Sequence, residues 1–315
     1  MTPNPASATG REPLRPRPPV DVVVPFAGSA SDLEATVRRL SALRLDAQDT
    51  LVIVDNRPSG AVSVTLGEGR ARVLRAPELQ SPAFARNRGA AAGSGEWLVF
   101  IDADVEAPAD LIEHYLESPP HPRTAVLAGA VLPPVSSAQR ESPATRFAAL
   151  RGHMSQQLTL ERGRWSFAQT ANCAVRRRAF ASVDGFREHL RTGEDADLCF
   201  RLAARGWRLE ARPGAAAHHH HRSTLPGLLR QCALHGSGAA WLDHAYPGSF
   251  PPRRRIGLCW WTLRRLASAG VGLLRGDADA ALLGALDPPT VWAFELGRVL
   301  PNRAASHSGS RAYRR

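Results

Sequence analysis

The apolar positions of the chain alternate between short continuous runs and segments with helical spacing. The first run, VDVVVPF from residue 20, is rich in β-branched residues and predicts a buried strand. The next segment carries Leu33, Val37 and Leu40 on one helical face, with Ser31 or Asp32 as the expected cap. A second apolar run, TLVIVD from residue 50, completes a strand–helix–strand unit. Two strands that are apolar throughout predict a mostly parallel sheet buried on both faces.

The same unit repeats further along the chain. ARVLRA, from residue 71, is a third predicted strand, and EWLVFIDAD, from residue 96, is a fourth. Between them, SPAFARNRGAAAGS predicts a helix with Ser81 as its cap and Pro82 at its first position. The fold class is therefore α/β, with a mostly parallel Rossmann-like sheet flanked by helices. Ligands of such sheets bind beyond the carboxyl ends of the strands. Pro25, Asp55 and Asp102 lie at such ends and are expected to face one crevice.

The two ends of the chain differ from the middle. Residues 1–19 are rich in Pro, Arg and Ser and predict a disordered arm. Near the other end, RRRIGLCWWTLRRLASAGVGLLRG, from residue 253, places Trp260, Trp261, Leu263 and Leu266 opposite arginines at helical spacing. Such a helix packs on the domain, lies on an anionic membrane surface or pairs with a partner, and the pattern leaves all three open.

The composition bounds the class of protein. The chain has 315 residues, 43% of them hydrophobic, which is enough for a sizeable core. Its formal net charge is +11, and all 40 basic residues are arginine because the sequence contains no lysine. This charge is typical of a solvated surface with basic tails, or of binding to an anionic surface or substrate. We predict no nucleic-acid partner.

Cysteine usage and hydropathy indicate a compartment. The four cysteines fall at wide spacings without a C-x-x-C pair, which predicts free thiols in a reducing environment. The first residues show no apolar signal-peptide core, and no run of about 18 apolar residues occurs, so no spanning helix is predicted. We therefore expect a cytoplasmic protein, with peripheral contact to the inner face of the membrane as an open alternative.

The fourth strand runs directly into two aspartates. Asp102 and Asp104 are separated by one residue, so at the end of a strand they point to the same side and repel each other unless a cation lies between them. Mg²⁺ and Mn²⁺ take oxygen ligands from one or two carboxylates together with substrate phosphates. The pair therefore predicts a divalent metal site, with a structural turn as the alternative.

Four motifs together resemble the family 2 glycosyltransferases of the GT-A fold. They are the VVVP of the first strand, the aspartate that closes VIVDN, the stretch ARNRGAAAGSGEWLVFIDAD and the later GEDADLCFRLAARGW. The resemblance covers roughly residues 20–235, and it is specific because all four motifs occur in the order and at the spacing of the family. There is also a looser likeness to the glycosyltransferases of mycofactocin-type gene systems.

Composition and this resemblance together predict four parts of the chain. Residues 1–19 are the disordered arm, and residues 20–235 are the GT-A glycosyltransferase domain. Residues 236–301 are a helical C-terminal extension, and residues 302–315 are a basic, disordered tail.

The resemblance also implies an activity. It implies a metal-dependent, inverting transferase that moves a sugar from a nucleotide diphospho-sugar donor to an acceptor hydroxyl of a glycan, a lipid-linked molecule or a small molecule. Mg²⁺ or Mn²⁺ would neutralise the diphosphate, with Asp104 as the direct ligand and Asp102 nearer the ribose or a metal-bound water. The alternative is a catalytically silent sugar-nucleotide binder or scaffold on the same fold, because function depends on the site and not on the fold.

Further residues take donor-side roles by resemblance. Asp55 would accept hydrogen bonds from the base or ribose, with a turn-forming aspartate as the alternative. Pro25 and Asn87 are expected to lie beside the donor. Arg86 would reach the diphosphate or base, or else lie on a solvated helix face.

The acid cluster near residue 195 is the expected catalytic centre. The resemblance makes Asp195 the general base, which takes the proton of the acceptor hydroxyl, and Glu194 a group that orients the acceptor or the helix end. A carboxylate at a helix start is also favoured as a cap, and Asp197 is the better candidate for that structural role.

The acceptor side and the histidine run complete the predicted site. Trp165 stacks on a sugar ring or fills core, and Asn172 would line the floor of the acceptor site. Residues 218–221 are four histidines, and many members of the family carry a histidine here, sometimes as a third metal ligand. His219 is the first choice and His221 the second, with a surface histidine run as the alternative.

Overall fold

The computed structural model describes residues 17–59, 71–133, 142–220 and 222–306. The strands are β1 Val20–Phe26, β2 Thr50–Asp55, β3 Ala71–Arg75, β4 Leu79–Gln80, β5 Trp97–Ile101, β6 Val105–Glu106, β7 Thr124–Leu132, β8 Asn172–Arg176, β9 Arg208–His219 and β10 Ala305–Ser306. The α-helices are α1 Ala30–Leu40, α2 Pro82–Ala91, α3 Leu111–Leu116, α4 Pro143–Leu150, α5 Gln156–Leu160, α6 Arg177–Ser182, α7 Glu194–Ala204, α8 Leu225–Ala245, α9 Arg255–Leu274 and α10 Ala278–Gly297. A 3₁₀ helix covers Gly163–Trp165.

Eight strands form one mixed sheet in the order β3-β2-β1-β5-β8-β7-β9-β6. The pairs β3-β2, β2-β1, β1-β5 and β7-β9 are parallel. β8 runs antiparallel between β5 and β7, and β6 runs antiparallel to the end of β9. The α/β class and the mostly parallel sheet are confirmed, and the four predicted strands lie side by side in its parallel half.

The sheet is covered on both faces, as the apolar strands predict. Alternate residues of β1 enter opposite layers: Val22 and Val24 join the cluster that contains Leu33 of α1, whereas Val23 joins the cluster that contains Phe84 of α2. α2 lies directly on the strand, because a Cβ at Gly89 would be only 2.3 Å from Cγ1 of Val23. This close contact fixes α2, and therefore its polar side chains, relative to the strand ends.

The two predicted helix caps have different outcomes. Ser81 caps α2, accepting a 3.3 Å hydrogen bond from the amide of Phe84, and Pro82 is the first residue, as predicted. The cap of α1 is Ser29 and not Ser31 or Asp32: its hydroxyl accepts from the amide of Asp32, whose carboxylate accepts from the amide of Ser29. This reciprocal capping box satisfies two backbone donors at once, which accounts for the earlier start.

Three long helices follow the sheet. α8 runs without interruption through the predicted domain boundary at 235–236, so this boundary lies inside a helix. α10 packs on both α8 and α9. No helix within the described ranges is long and apolar enough to cross a membrane.

The structure describes a few residues of each end that the sequence predicts to be disordered. Arg17 donates to Asp49 with an Nη2–Oδ2 distance of 2.6 Å, which anchors the end of the predicted arm. At the other end, β10 pairs with β4, and the side chain of Asn302 bonds the backbone of Thr192. The remaining parts of both segments, residues 1–16 and 307–315, lie outside the described residues. The four cysteines are free, as predicted.

Candidate active site

The aspartate pair lies in a turn and not at the end of a strand. β5 ends at Ile101, and Asp102 to Asp104 form the tight turn into β6, closed by a 3.1 Å bond from the amide of Val105 to the carbonyl of Asp102. The predicted place in the last residues of a strand is therefore wrong, whereas the common direction of the two carboxylates stays a prediction. The physical reason is the turn itself, which ends the two-residue alternation of a strand and gives each aspartate its own partners.

Asp104 is paired with a histidine from a distant part of the chain. β6 is antiparallel to β9 with Val105 opposite His219, which brings Nε2 of His219 to 3.4 Å from Oδ1 of Asp104. Burial opposes the charge of Asp104, yet the hydrogen bond and charge of His219 hold the pKa of the carboxyl below its usual range. Burial likewise opposes the charge of His219, but Asp104 and then Asp102 raise the pKa of the imidazole. The two side chains thus stabilise each other's charged forms.

The neighbouring histidines point elsewhere. A ring nitrogen of His218 lies 2.7 Å from the carbonyl oxygen of Pro133, and Nε2 of His220 lies 2.8 Å from Oε1 of Glu106. His221 lies outside the described residues. Among the three histidines that are described, the strand alternation therefore directs His219 to Asp104.

The donor set of this turn suits a hard divalent cation. Asp104 would supply carboxylate oxygens and is 37% exposed, and Nε2 of His219, 3.4 Å from Oδ1 of Asp104, would supply an imidazole nitrogen once the ion displaces its proton. The described residues contain no group of three or more His, Cys, Asp or Glu that would hold a metal ion alone. Two protein ligands fit Mg²⁺ or Mn²⁺ when phosphate oxygens of a substrate supply others. Arg222, whose Nη2 lies 4.0 Å from Oδ2 of Asp104, adds positive charge beside that position.

Arg86 joins the aspartate turn to the acid cluster. Its Nη2 donates to Oδ1 of Asp102 at 2.6 Å, and its Nη1 donates to Oε1 of Glu194 at 2.7 Å. The arginine is almost fully buried, and the charges of Asp102 and Glu194 outweigh the effect of burial and raise its pKa further. The alternative of a solvated helix-face arginine is therefore excluded by its burial.

Asp195 lies at the start of α7, one residue after Glu194. Gly193 precedes them with φ of +80°, a left-handed conformation that favours glycine and turns the chain into the helix. Burial, followed by the negative charge of Glu194, raises the pKa of Asp195 to about 7. One carboxylate oxygen accepts from the amide of Ala196 at 2.8 Å. A carboxylate with a pKa near neutrality has the property that a general base requires.

Asp197 has a structural role, but it is not a cap. Its carboxylate is fully buried and accepts hydrogen bonds from Arg201 at 2.8 Å and from the hydroxyl of Tyr246 at 2.7 Å. Arg187 lies 3.2 Å from the same carboxylate. Asp197 thus ties α7 to the end of α8, and the predicted cap is replaced by Gly193, which has no side chain to bond the helix start.

Asp55 ends β2, as predicted, but its carboxylate already has partners. It is fully buried, and it accepts from Nε of Arg57 at 2.8 Å and from Nη1 of Arg75 at 3.0 Å. These bonds hold the pKa of Asp55 below its usual range, although burial works in the opposite direction. Arg57 also lies 5.7 Å from the ring of Phe26, which follows Pro25 at the end of β1.

Three predicted substrate residues are engaged within the protein. The side chain of Asn87 donates to the carbonyl of Phe186 at 2.9 Å and accepts from its amide at 3.0 Å. Asn172 is fully buried and bonds the hydroxyl of Tyr115 and two backbone carbonyls. Trp165 packs on Phe200, with ring centroids 5.0 Å apart, which is the core alternative for this residue. Nothing in these contacts tests a substrate role, so the substrate contacts of Asn87, Asn172 and Trp165 stay predictions.

Sequence reasoning missed the arginines that complete the site. Arg57 and Arg75 hold Asp55, and Arg222 lies beside Asp104. Arg57 carries a usable signal, because it follows the strand-terminal aspartate by two residues. Arg75 and Arg222 have no comparable signal in the sequence, since sheet pairing and the turn after β9 determine their positions.

Comparison with known proteins gives the same family as the motifs. The family model described as "Glycosyltransferase like family 2" matches residues 16–235. A "Pre-mycofactocin glycosyltransferase" of Mycobacterium tuberculosis (strain CDC 1551 / Oshkosh) is 31% identical over 285 residues, covering 85% of this chain and 58% of the relative. The chain thus spans little more than half the length of that protein. The succinoglycan biosynthesis protein ExoA of Rhizobium meliloti is 26% identical over 241 residues, covering 72% of each chain.

Solved structures support the fold. The mannosyltransferase PcManGT from Pyrobaculum calidifontis, in complex with GDP-Man and Mn²⁺, has a TM-score of 0.54 at 16% identity, covering 90% of this chain and 87% of that one. A structure of GalNAc-T7 with UDP, GalNAc and Mn²⁺ has a TM-score of 0.50 at 15% identity, covering 74% of this chain and 51% of that one. At these identities the likeness concerns the fold alone.

Proposed function

The chain belongs to glycosyltransferase family 2, and on that premise we propose that it is a metal-dependent, inverting enzyme. It transfers a sugar from a nucleotide diphospho-sugar to an acceptor hydroxyl. The observation that carries this proposal is the linked arrangement of the Asp104–His219 pair and Asp195, which Arg86 connects through Asp102 and Glu194. Burial, followed by the charge of Glu194, raises the pKa of Asp195 to about 7, which supports the role of general base.

The donor end of the site is the aspartate turn. Asp104 and His219 would hold Mg²⁺ or Mn²⁺, which when bound neutralises the charge of the diphosphate and of the departing nucleotide. Arg222 contributes a further positive charge at the same place. Asp102, held by Arg86, is left to orient the ribose or a metal-bound water. Pro25 and Asp55 border the base and ribose, with Arg57 and Arg75 presented by Asp55.

The acceptor end of the site is the start of α7. Asp195 takes the proton of the acceptor hydroxyl while that oxygen forms a bond to the anomeric carbon of the donor sugar. The bond from the anomeric carbon to the phosphate oxygen breaks in the same step, and its electron pair leaves with the nucleoside diphosphate. One displacement of this kind inverts the anomeric centre. Burial keeps Asp195 basic, and the negative charge of Glu194 adds to this effect because two adjacent carboxylates disfavour a second charge.

The comparisons support the donor class and the metal. The two structural neighbours were solved with GDP-Man or UDP and with Mn²⁺. By name, one relative is a glycosyltransferase of pre-mycofactocin and the other a succinoglycan biosynthesis protein. The acceptor that we propose is a hydroxyl of a glycan, a lipid-linked molecule or a small molecule.

A donor panel tests the proposal. The full chain is incubated with GDP-, UDP- and dTDP-sugars, each with Mn²⁺, with Mg²⁺ or with EDTA, and release of the nucleoside diphosphate is measured. Water serves as a slow acceptor, so no acceptor needs to be known. The proposal predicts release from one donor class that requires the divalent cation. Binding of a donor without release from any of them would favour the silent binder.

A further inference from the structure

Helix α9 presents its large apolar side chains to solvent. Ile256, Trp260, Leu263, Val271 and Leu274 are spaced by four, three, eight and three residues, so they lie on one side of the helix. All five are exposed, from 45% for Val271 to 90% for Leu274. We call this set the α9 apolar face. Helices of soluble domains normally turn such a stripe toward the core, and α9 does the reverse.

The opposite side of α9 packs on α10 through small residues. Ala269 and Gly272 are buried there. A Cβ at Gly272 would lie 2.6 Å from the backbone nitrogen of Ala281, and one at Gly284 would lie 2.6 Å from the nitrogen of Ala269. The two backbones therefore touch, and this contact holds α9 in place. Packing on the domain and exposure of an apolar face are thus properties of opposite sides of one helix.

Positive charge without an acidic partner among the described residues borders the α9 apolar face. The sequence has no acidic residue between Asp243 and Asp277 but has six arginines there. Two of them have acidic partners: Arg253 with Glu295 at 2.9 Å, and Arg265 with Asp287 at 2.5 Å. Two others, Arg264 and Arg275, are exposed and each directly follows a residue of the face. A helical step of 100° places them along one edge of the stripe.

We infer that the α9 apolar face binds the surface of an anionic phospholipid bilayer. An apolar stripe that carries tryptophan and is bordered by arginines is the pattern of a helix that lies in the membrane interface. The apolar residues enter the acyl boundary, and Arg264 and Arg275 meet lipid phosphates. A second copy of the chain fits less well, because pairing two such faces would bring their arginines together. The inference does not depend on the sugar-transfer activity.

Vesicle flotation tests the inference with the full chain. Phosphatidylcholine vesicles with and without phosphatidylglycerol are compared at low and high salt. We expect binding only with phosphatidylglycerol and release in high salt, since the electrostatic part is screened. The double variant Trp260→Ser, Leu263→Ser should lower the partition coefficient by more than roughly tenfold, because it removes two apolar side chains that would be buried in the bilayer. The matched control is Leu158→Ser, a similarly exposed leucine on α5.

A charge variant tests vesicle binding without changing the apolar side chains of α9. Arg264→Gln should lower the partition coefficient roughly fivefold, the factor that corresponds to about 1 kcal/mol per basic residue at an anionic surface. Circular dichroism verifies that each variant is folded. The inference is overturned if the wild-type chain does not float with anionic vesicles at low salt. It is also overturned if all variants float as well as the wild type. If the chain does not bind vesicles but forms concentration-dependent dimers, and the double variant Trp260→Ser, Leu263→Ser abolishes these dimers, the α9 apolar face would be assigned to a second copy.

Discussion

Arg86 donates a 2.7 Å hydrogen bond from Nη1 to Oε1 of Glu194, a residue 108 positions further along the chain. The other end of the same guanidinium holds Asp102 at 2.6 Å. One buried cation thus connects the turn between β5 and β6, the proposed donor end of the site, to the start of α7, the proposed acceptor end. Any change in this contact acts on both halves of the proposed reaction.

Removal of that cation should destabilise the fold. Arg86→Met leaves Asp102 and Glu194 without their charged partner, and breaking a buried ion pair from one side costs roughly 3–5 kcal/mol. Urea denaturation should show this loss. Arg88→Met, on the exposed side of α2, is the control and should leave the free energy of unfolding nearly unchanged. Equal stability of the two variants would contradict the role given to Arg86.

Asp104 should control metal-dependent donor binding. Asp104→Asn keeps the size of the side chain but removes the charged ligand, so calorimetric affinity for the nucleoside diphosphate in the presence of Mn²⁺ should fall, while affinity in EDTA should not change. Glu106→Gln is the matched control, because Glu106 is two residues away and pairs with His220. An Asp104→Asn variant that binds nucleotide and Mn²⁺ like the wild type would remove Asp104 from the metal site.

The histidine run allows a direct comparison of neighbours. His219→Ala should weaken Mn²⁺-dependent nucleotide binding by at least roughly tenfold, since it removes one of two protein ligands or its supporting contact to Asp104. His220→Ala should leave binding unchanged, because that side chain faces Glu106. Titration calorimetry with both variants decides the question, and the reverse order of effects would shift the register of the site by one residue.

The raised pKa of Asp195 predicts a pH-dependent effect on stability. The pKa is about 7 in the folded protein against an ordinary value of 3.8. Ionisation of this group therefore lowers the free energy of unfolding, and this loss is absent below about pH 4 and complete above about pH 7. Asp195→Asn removes this loss. The melting temperature of the variant should therefore exceed that of the wild type near pH 8, and the difference should shrink toward pH 4. A difference independent of pH would show that the carboxyl is not perturbed.

Local sequence signals predicted the parts of the fold that depend on local interactions. Ser81 and Pro82 start α2 because a hydroxyl cap and a proline act within a single helical turn. The metal hypothesis likewise came from a local pattern, the two aspartates Asp102 and Asp104 separated by one residue. Their partners were not visible, because Arg86 reaches Asp102 from α2 and His219 meets Asp104 only through the pairing of β6 with β9. Contacts over such separations depend on the whole fold.

The remaining differences have the same origin. Four adjacent histidines give no internal signal of register, and only the pairing of Val105 with His219 selects one of them. The sequence of α9 showed an amphipathic helix but not which side would pack. That choice follows from the small residues Ala269 and Gly272, which permit close approach to α10.

The rate of sugar transfer by Asp195→Asn tests the central claim most directly. The substitution keeps the size of the side chain and an oxygen for the amide of Ala196, but it removes the proton acceptor. With the donor and metal found in the panel, turnover should fall by a factor on the order of 10²–10⁴. Donor affinity should remain that of the wild type. Asp184→Asn, an exposed carboxylate with φ of +58° that asparagine tolerates, is the control and should retain full turnover. Turnover by Asp195→Asn at the wild-type rate would contradict the account.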